Sequence, residues 1–414
     1  MLRRVDARKL YWATSLVFAL ATSTIFTLDM VYQVKVAGLD ALQLVLVGTA
    51  LEATCFLFEI PTGVVADLYS RRLSTIIGFV LVGLAFVFEG LFPRFGMILL
   101  AQVGWGLGWT FISGAHDAWI ADEVGAENAG PVYMRSTQMG QIGALLGIPL
   151  AMALGSSRLA LPIIVGGLAI TAWGLVLALI MPEDHFTPAP PEERESWRAM
   201  LSTARQGATL VRRRPILMTL MLVSLFVGLS SEGFDRLWTA HLLENHALQA
   251  VAPWSDAVWF GLIGALCTIT TLIATEWAKR HVDAQDGHRV GRVLACIYWL
   301  MVIGLGALTL AGGLAPALAG LVIYSAMRGT AEPLETTWIN QQIDSKVRAT
   351  VLSMSGQVNA VGQVLGGPAV GAIGRGVGLR AALGVSTLLT APIVWLYGRT
   401  KGRPATVITE SAKE

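Results

Sequence analysis

Five groups of charged or titratable side chains stand inside apolar stretches of this 414-residue chain, and their types and spacing suit holding or moving charge. Asp29 and Gln33, four residues apart, share a helical face with Thr22 and Phe26. That face is expected to point a carboxyl and an amide together into a central cavity, where desolvation favours the proton-bearing form that proton exchange requires. The alternative is a structural hydrogen bond near the outer surface. Arg328, Glu332 and Glu335, spaced four and three, form one stripe interrupted by Pro333. Either Arg328 neutralises one glutamate and leaves the other to take a proton or a cation, or all three form a static lock. Glu232 and Arg236, with Asp235 beside them, read as an outer gate or lock. His116 and Asp117 lie near the inner end of their stretch, where a histidine could titrate near neutrality or both could be solvated. Glu59, ahead of Pro61, reads as a gate residue, and the deeper Glu52 as a reserve proton carrier. Glu89 and Glu276, at stretch ends, are expected to be surface charges. Trp105, Trp109, Trp238 and Trp338 could form an aromatic wall, although packing and interfacial anchoring account for most membrane tryptophans.

Little else in the chain points to chemistry. There is no GxxxxGK[ST] loop for a nucleoside triphosphate, no HExxH and no GxSxG, so the chain reads as a non-enzyme without cofactor or metal. Its three cysteines, Cys55, Cys267 and Cys296, sit in apolar segments and offer neither a disulfide framework nor metal-ligand spacing. A net charge of +2 gives no reason to expect a nucleic-acid partner.

The elements that must position these groups are membrane helices. Hydrophobic residues make up 54% of the chain and charged ones 14%, with a mean hydropathy of +0.61; a soluble domain carries roughly a quarter charged residues. Crossing a bilayer takes roughly 20 mainly apolar residues, and twelve such spans recur: 10–36, 42–66, 74–92, 95–119, 132–155, 159–181, 216–243, 257–278, 293–312, 314–338, 350–373 and 379–398. The first exceeds a signal peptide in length and has no convincing cleavage site, so it is expected to remain as span 1. With the amino terminus inside, 23 of the 30 Lys and Arg fall on inner segments and five on outer ends. That bias predicts both termini in the cytoplasm.

The only long polar connection, 182–215, divides the chain into an amino-terminal bundle (1–181) and a carboxy-terminal bundle with a short tail (216–414). Trp197, Met200, Leu201 and Ala204 at helical spacing, with Arg205 and Arg212 to Arg214, suggest an interfacial helix or a merely solvated linker. The two halves repeat at an offset of 219 residues: Trp119 and Trp338, Ser136 and Ser355, Gln138 and Gln357, Gly143 and Gly362, Gly147 and Gly366, Pro149 and Pro368. Repeats of this kind place a binding site between the halves near mid-membrane.

After span 2, Gly63-Val-Val-Ala-Asp67-Leu-Tyr-Ser-Arg71-Arg72 resembles the signature loop of the major facilitator superfamily, with Ser70 where a second glycine is usual. The segments Phe58 to Gly63, Ser113 to Trp119, Ser231 to Trp238 and Arg348 to Ser353 resemble its drug:proton antiporter branch, related to tetracycline and macrolide exporters. Two places depart from that branch. Gln102 stands ahead of Gly106 and Gly108, where exporters often carry Arg, so proton relay must use another residue. Gly143, Gly147 and Pro149 match the helix-5 antiporter motif only loosely. The resemblance implies an all-α membrane protein, twelve transmembrane helices in two pseudo-symmetric six-helix bundles. It further implies a monomeric transporter in a bacterial inner membrane, surrounded by lipid, exporting small amphipathic or cationic organic compounds against protons by alternating access. Uptake by symport, or movement of a lipid-like molecule, is the alternative within the fold; a non-transporting receptor or scaffold is the alternative outside it. Asp67 is implied to sit near the start of span 11, around Arg348 to Thr350, holding the halves together in the outward-facing state, with Arg71 and Arg72 as partners or positive-inside anchors.

Overall fold

The computed structural model describes residues 5–188, 211, 215–246, 248–282, 287–342 and 345–399. The basic residues of 194–214, the interfacial helix expected there and the carboxy-terminal tail lie outside them. Among the described residues, twelve antiparallel rods follow in chain order, and both described ends lie on one face, called here the terminal face. The rods are span 1 (Ala7–Phe26 and Asp29–Lys35), span 2 (Ala41–Leu68), span 3 (Arg71–Leu91), span 4 (Phe95–Ile112 and Ala115–Val124), span 5 (Ala129–Gly155) and span 6 (Leu161–Ile180). The second bundle contains span 7 (Pro215–Asn245), span 8 (Asp256–His281), span 9 (Gly287–Leu310), span 10 (Leu314–Gln342), span 11 (Ser345–Gly376) and span 12 (Leu379–Arg399). Among the described residues, ten of these are long and apolar enough to cross a membrane. Spans 10 and 11 have the length but carry more polar residues.

Local chemistry sets the breaks. In span 1, Thr22, Thr24 and Thr27 turn their hydroxyls back onto the carbonyls of Phe18, Leu20 and Ser23 at 2.7–2.8 Å. Such back-bonding weakens and bends a helix, and the rod breaks at Leu28, whose φ of −127° and ψ of −2° are not helical. Span 4 breaks at Gly114, whose φ of +74° suits only glycine. Asp40 and Gln43 form a reciprocal cap at the start of span 2, at 2.9 and 3.1 Å. Ser70 caps span 3 through the Leu73 amide at 2.8 Å, which explains why serine serves where glycine is usual.

The repeat is physical. Ser136 of span 5 meets Ser15 of span 1 at 2.5 Å, and its counterpart Ser355 of span 11 meets Ser224 of span 7 at 2.6 Å. Gly143 packs on the backbone of Leu16 and Leu20, and Gly362 on that of Leu225 and Leu229. The halves join at the face opposite the termini. There Lys35 pairs with Asp256 at 2.7 Å, Arg375 with Asp40 at 3.5 Å, and Gly367 and Gly371 lie against Val45 and Leu42.

Candidate substrate cavity and ionisable clusters

Between this closure and the terminal face lies a cavity of about 660 Å³, walled by spans 1, 2 and 4 on one side and the first half of span 11 on the other. One wall is aromatic: Phe18 stacks on Trp109 at 6.1 Å between ring centres, and Phe26 packs on Trp105 at 5.1 Å. The charge in the lining comes from Glu52 and Glu59, seven residues apart and hence two turns apart along one face of span 2. Glu52 is half-buried and within electrostatic reach of Arg236 and Asp235 in the other half. Glu59 is exposed and accepts a hydrogen bond from the Gln357 amide at 3.3 Å, a contact across the halves on the open side. The lining thus combines two carboxyls, flat rings and the hydroxyls of Thr22, Thr110 and Ser113.

Asp29 and Gln33 are elsewhere. A straight helix would carry them onto the face of Thr22 and Phe26, which do line the cavity, but the break at Leu28 turns them inward, where they are 2% and 0% exposed. The Gln33 amide donates to Asp29 at 3.1 Å and to Glu89 at 2.8 Å, and Gln102 donates to the other Glu89 oxygen at 2.9 Å. The Asp29 and Glu89 carboxyls are also within hydrogen-bonding reach of each other. Glu89 is therefore no surface charge: it is 0% exposed and the hub of the cluster. Gln102, standing where an arginine is usual in exporters, holds it. One Asp29 oxygen and the side-chain oxygens of Gln33 and Gln102 have no hydrogen-bond partner, so the cluster has acceptor capacity to spare.

The stripe on span 10 also divides differently from expectation. Arg328 pairs with neither glutamate. Both of its terminal nitrogens bond Asp235 of span 7, the second at 2.9 Å, in the fork geometry that carboxylates favour. Glu335 accepts the hydroxyls of Tyr298 and Tyr397 at 2.7 and 3.0 Å, and Glu332 is exposed. The expected coupling between Arg328 and the glutamates fails because Asp235 of span 7 takes both terminal nitrogens of Arg328, while Tyr298 and Tyr397, from spans 9 and 12, hold Glu335. None of these three residues is in the cavity lining.

Glu232 and Arg236, 3% and 11% exposed, lie 3.6 Å apart at the junction of the halves. A side chain at Gly48 of span 2 would collide with both, so the pair packs against bare backbone of the opposite bundle, as a lock on that face would. His116 is stacked between Tyr11 and Trp119 at 4.6 and 5.8 Å, and Asp117 accepts the Tyr11 hydroxyl at 2.5 Å. Both are built into the junction of spans 1 and 4 and are absent from the cavity lining. Of the tryptophans, Trp105 and Trp109 line the cavity, whereas Trp238 packs on Phe260 and Trp338 on Tyr397.

In the signature loop, Arg71 bridges Asp122 at 2.5 Å, the Ala118 carbonyl at 3.1 Å and Asp67 at 3.5 Å. Gly63 has open space around it. Arg72 donates to the Ala178 carbonyl at 2.6 Å, fastening span 3 to the end of span 6 rather than reaching toward headgroups. Asp67 itself is 41% exposed, and the side chains of Arg348 to Thr350, its expected counterparts, lie outside the described residues.

Over residues 10–367 the chain matches the Major Facilitator Superfamily. The protein belongs to that family. A relative within it is the uncharacterized MFS-type transporter YxaM of Bacillus subtilis (strain 168), 21% identical over 360 residues that cover 86% of each chain. Solved facilitator structures superpose along almost the whole chain. The nucleoside transporter NupG does so at a TM-score of 0.75 with 11% identity, covering 97% of this chain and 100% of that one. A bacterial homolog of the human lysosomal transporter Spinster, inward-facing and unoccupied, reaches 0.72 with 16% identity, covering 96% and 98%. The POT family transporter PepTSo reaches 0.72 with 12% identity, covering 95% and 98%. At these identities the likeness shows the facilitator fold alone. Membership and fold together make the protein a multi-pass membrane transporter, not an enzyme.

Proposed function

We propose that this facilitator is a monomeric, proton-coupled exporter of small amphipathic cations in a bacterial inner membrane, with its terminal face toward the cytoplasm. The observation that carries the reading is the cavity wall, which sets Glu52 and Glu59 beside Phe18, Phe26, Trp105 and Trp109. A cation with a flat apolar body satisfies both features: the charge meets a carboxylate, and the rings add cation–π attraction of about 0.5–2 kcal/mol. Proton and cation compete for Glu52, so protonation in one access state expels the cation and deprotonation in the other recruits it. In this geometry the cavity is closed at the Lys35–Asp256 side and accessible from the terminal face, which under the proposed orientation is the inward-facing state. The reading is tested by imposing a pH gradient, acid inside, on inside-out vesicles. They should accumulate tetraphenylphosphonium or a larger aromatic cation, and collapse of the gradient should release it; no gradient-dependent accumulation of any such cation would refute it.

The orientation rests on the distribution of Lys and Arg. A cysteine placed at Ser202 should resist an impermeant maleimide added to intact cells and react after permeabilisation. Labelling from outside would invert the topology.

Replacing Asp29, Glu332 and Glu335 singly by their amides should separate them. Asp29→Asn removes a titratable group from a buried acid pair and should leave exchange down a concentration gradient but weaken proton-driven accumulation. Glu335→Gln keeps an acceptor for both tyrosines, and Glu332→Gln alters an exposed group, so both should stay near wild type. Full proton-driven transport in Asp29→Asn would make that pair structural.

Here Asp67 pairs with Arg71 of its own bundle at 3.5 Å, and its proposed work across the halves falls in the other half of the cycle. Asp67→Asn should therefore leave cation affinity within about twofold while cutting turnover severalfold, because a charge at a helix amino terminus contributes about 0.3–1 kcal/mol, more if partly buried. Equal losses of binding and turnover would remove it from the gate.

A further inference from the structure

We propose that the groove between spans 8 and 9 is a binding site for an anionic phospholipid, an inference independent of the transport reading. The groove has a volume of about 810 Å³ and opens sideways on the bundle. Spans 8 and 9 each pack on span 10, which forms the floor. The walls are apolar: Ile273 and Trp277 from span 8, Cys296 and Leu300 from span 9, all exposed along their outer edges. The floor contributes Thr330, but its hydroxyl is occupied by the Ala326 carbonyl at 2.8 Å and by Thr275 at 3.3 Å. The groove therefore presents hydrocarbon without a polar group in want of a partner, and in a membrane-spanning surface an acyl chain fills it.

The mouth identifies the headgroup. Arg289 and Arg292, three residues apart and so on one side of span 9, line the groove where it reaches the terminal face, and both are exposed. Lys279 and Arg280, close by at the end of span 8, add charge of the same sign at that end of the groove and pair with Glu276 at 4.0 and 2.7 Å. Guanidinium groups bind phosphate by paired hydrogen bonds, and their stems follow apolar surface while the charge stays at the interface. Trp277 on the facing wall adds an amphipathic ring of the kind found at that depth. Two cations at the end of an apolar slot suit a lipid with net negative charge better than a zwitterionic one.

The test places the full-length protein in nanodiscs containing a trace of phosphatidylglycerol with a diazirine on its acyl chain, and maps adducts by peptide mass spectrometry. Adducts should concentrate on residues 273–277 and 296–300. Excess plain phosphatidylglycerol should suppress them, whereas phosphatidylcholine or inorganic phosphate should not. Arg289→Gln with Arg292→Gln should lower labelling at least fivefold, and Cys296→Trp, which fills the slot and leaves the arginines, should do the same. Adducts spread evenly over the lipid-facing spans, equal competition by phosphatidylcholine, or unchanged labelling in both variants would overturn the proposal.

Discussion

Glu52→Gln is expected to weaken binding of an aromatic cation by about 10–100-fold and to abolish its proton-driven accumulation. The estimate follows from the interaction lost. A hydrogen-bonded contact between a charged group and its partner is worth about 1.5–3 kcal/mol, and each 1.4 kcal/mol is about tenfold in affinity. Glu52 is half-buried in the cavity wall, where solvent screens it less than a surface charge. Glu59, two turns nearer the open side, is exposed and already shared with Gln357, so Glu59→Gln should cost less than about tenfold. The ordering matters as much as the size. Equilibrium binding by scintillation proximity, run beside transport in vesicles, checks both. A larger effect at Glu59, or none at either, would move the cation site out of this cavity.

The second large effect concerns stability. Glu89→Leu should destabilise the amino-terminal bundle by about 2–6 kcal/mol, since it leaves one N–H each of Gln33 and Gln102 without an acceptor in a closed interior, Gln33 keeping only its bond to Asp29, and each unsatisfied buried donor costs about 1–3 kcal/mol. Both amides now end on Glu89, at 2.8 and 2.9 Å. Glu89→Gln keeps oxygen acceptance on one side only and should fall between wild type and Glu89→Leu. Thermal unfolding in detergent, followed by thiol-reactive dye at the native cysteines, reads the difference. A melting temperature for Glu89→Leu equal to wild type would mean that the cluster contributes nothing to the bundle. Gln33 donates to both carboxyls of this buried pair and so bridges Asp29 and Glu89.

What the sequence displays and what it hides divide along physical lines. Spans are legible because hydrocarbon imposes a length and a composition, and the twelve segments agree with the helices to within a few residues at most ends. Span 9 is the widest miss: its helix starts at Gly287, six residues ahead of the expected 293, because Arg289 and Arg292 break the apolar pattern without breaking the helix. The half-repeat is legible because close helix packing selects small residues, and Gly143 and Gly362 do sit on equivalent backbones. Side-chain direction is not legible beyond a helix break. The face shared by Thr22, Phe26 and Asp29 assumed one continuous helix; span 1 breaks at Leu28, and Asp29 ends in the cluster around Glu89 instead of in the cavity. Long-range partners are equally hidden. Spacing pairs Arg328 with Glu332 along the helix, but Asp235 on span 7 offers both oxygens at once. Glu89 looks like a surface charge because it stands next to a turn, and only the arrival of Gln33 and Gln102 from two other helices makes it internal.

The most direct test of the account is a proton measurement in proteoliposomes. Purified protein is reconstituted with a pH indicator inside and no pH gradient, and an outward gradient of an aromatic cation is imposed. The account predicts that the cation leaving through the protein drives protons inward, acidifying the lumen at a rate that saturates with cation concentration and disappears in Glu52→Gln. Cation flux through the wild-type protein without any change of internal pH, or acidification that persists undiminished in Glu52→Gln, would contradict it.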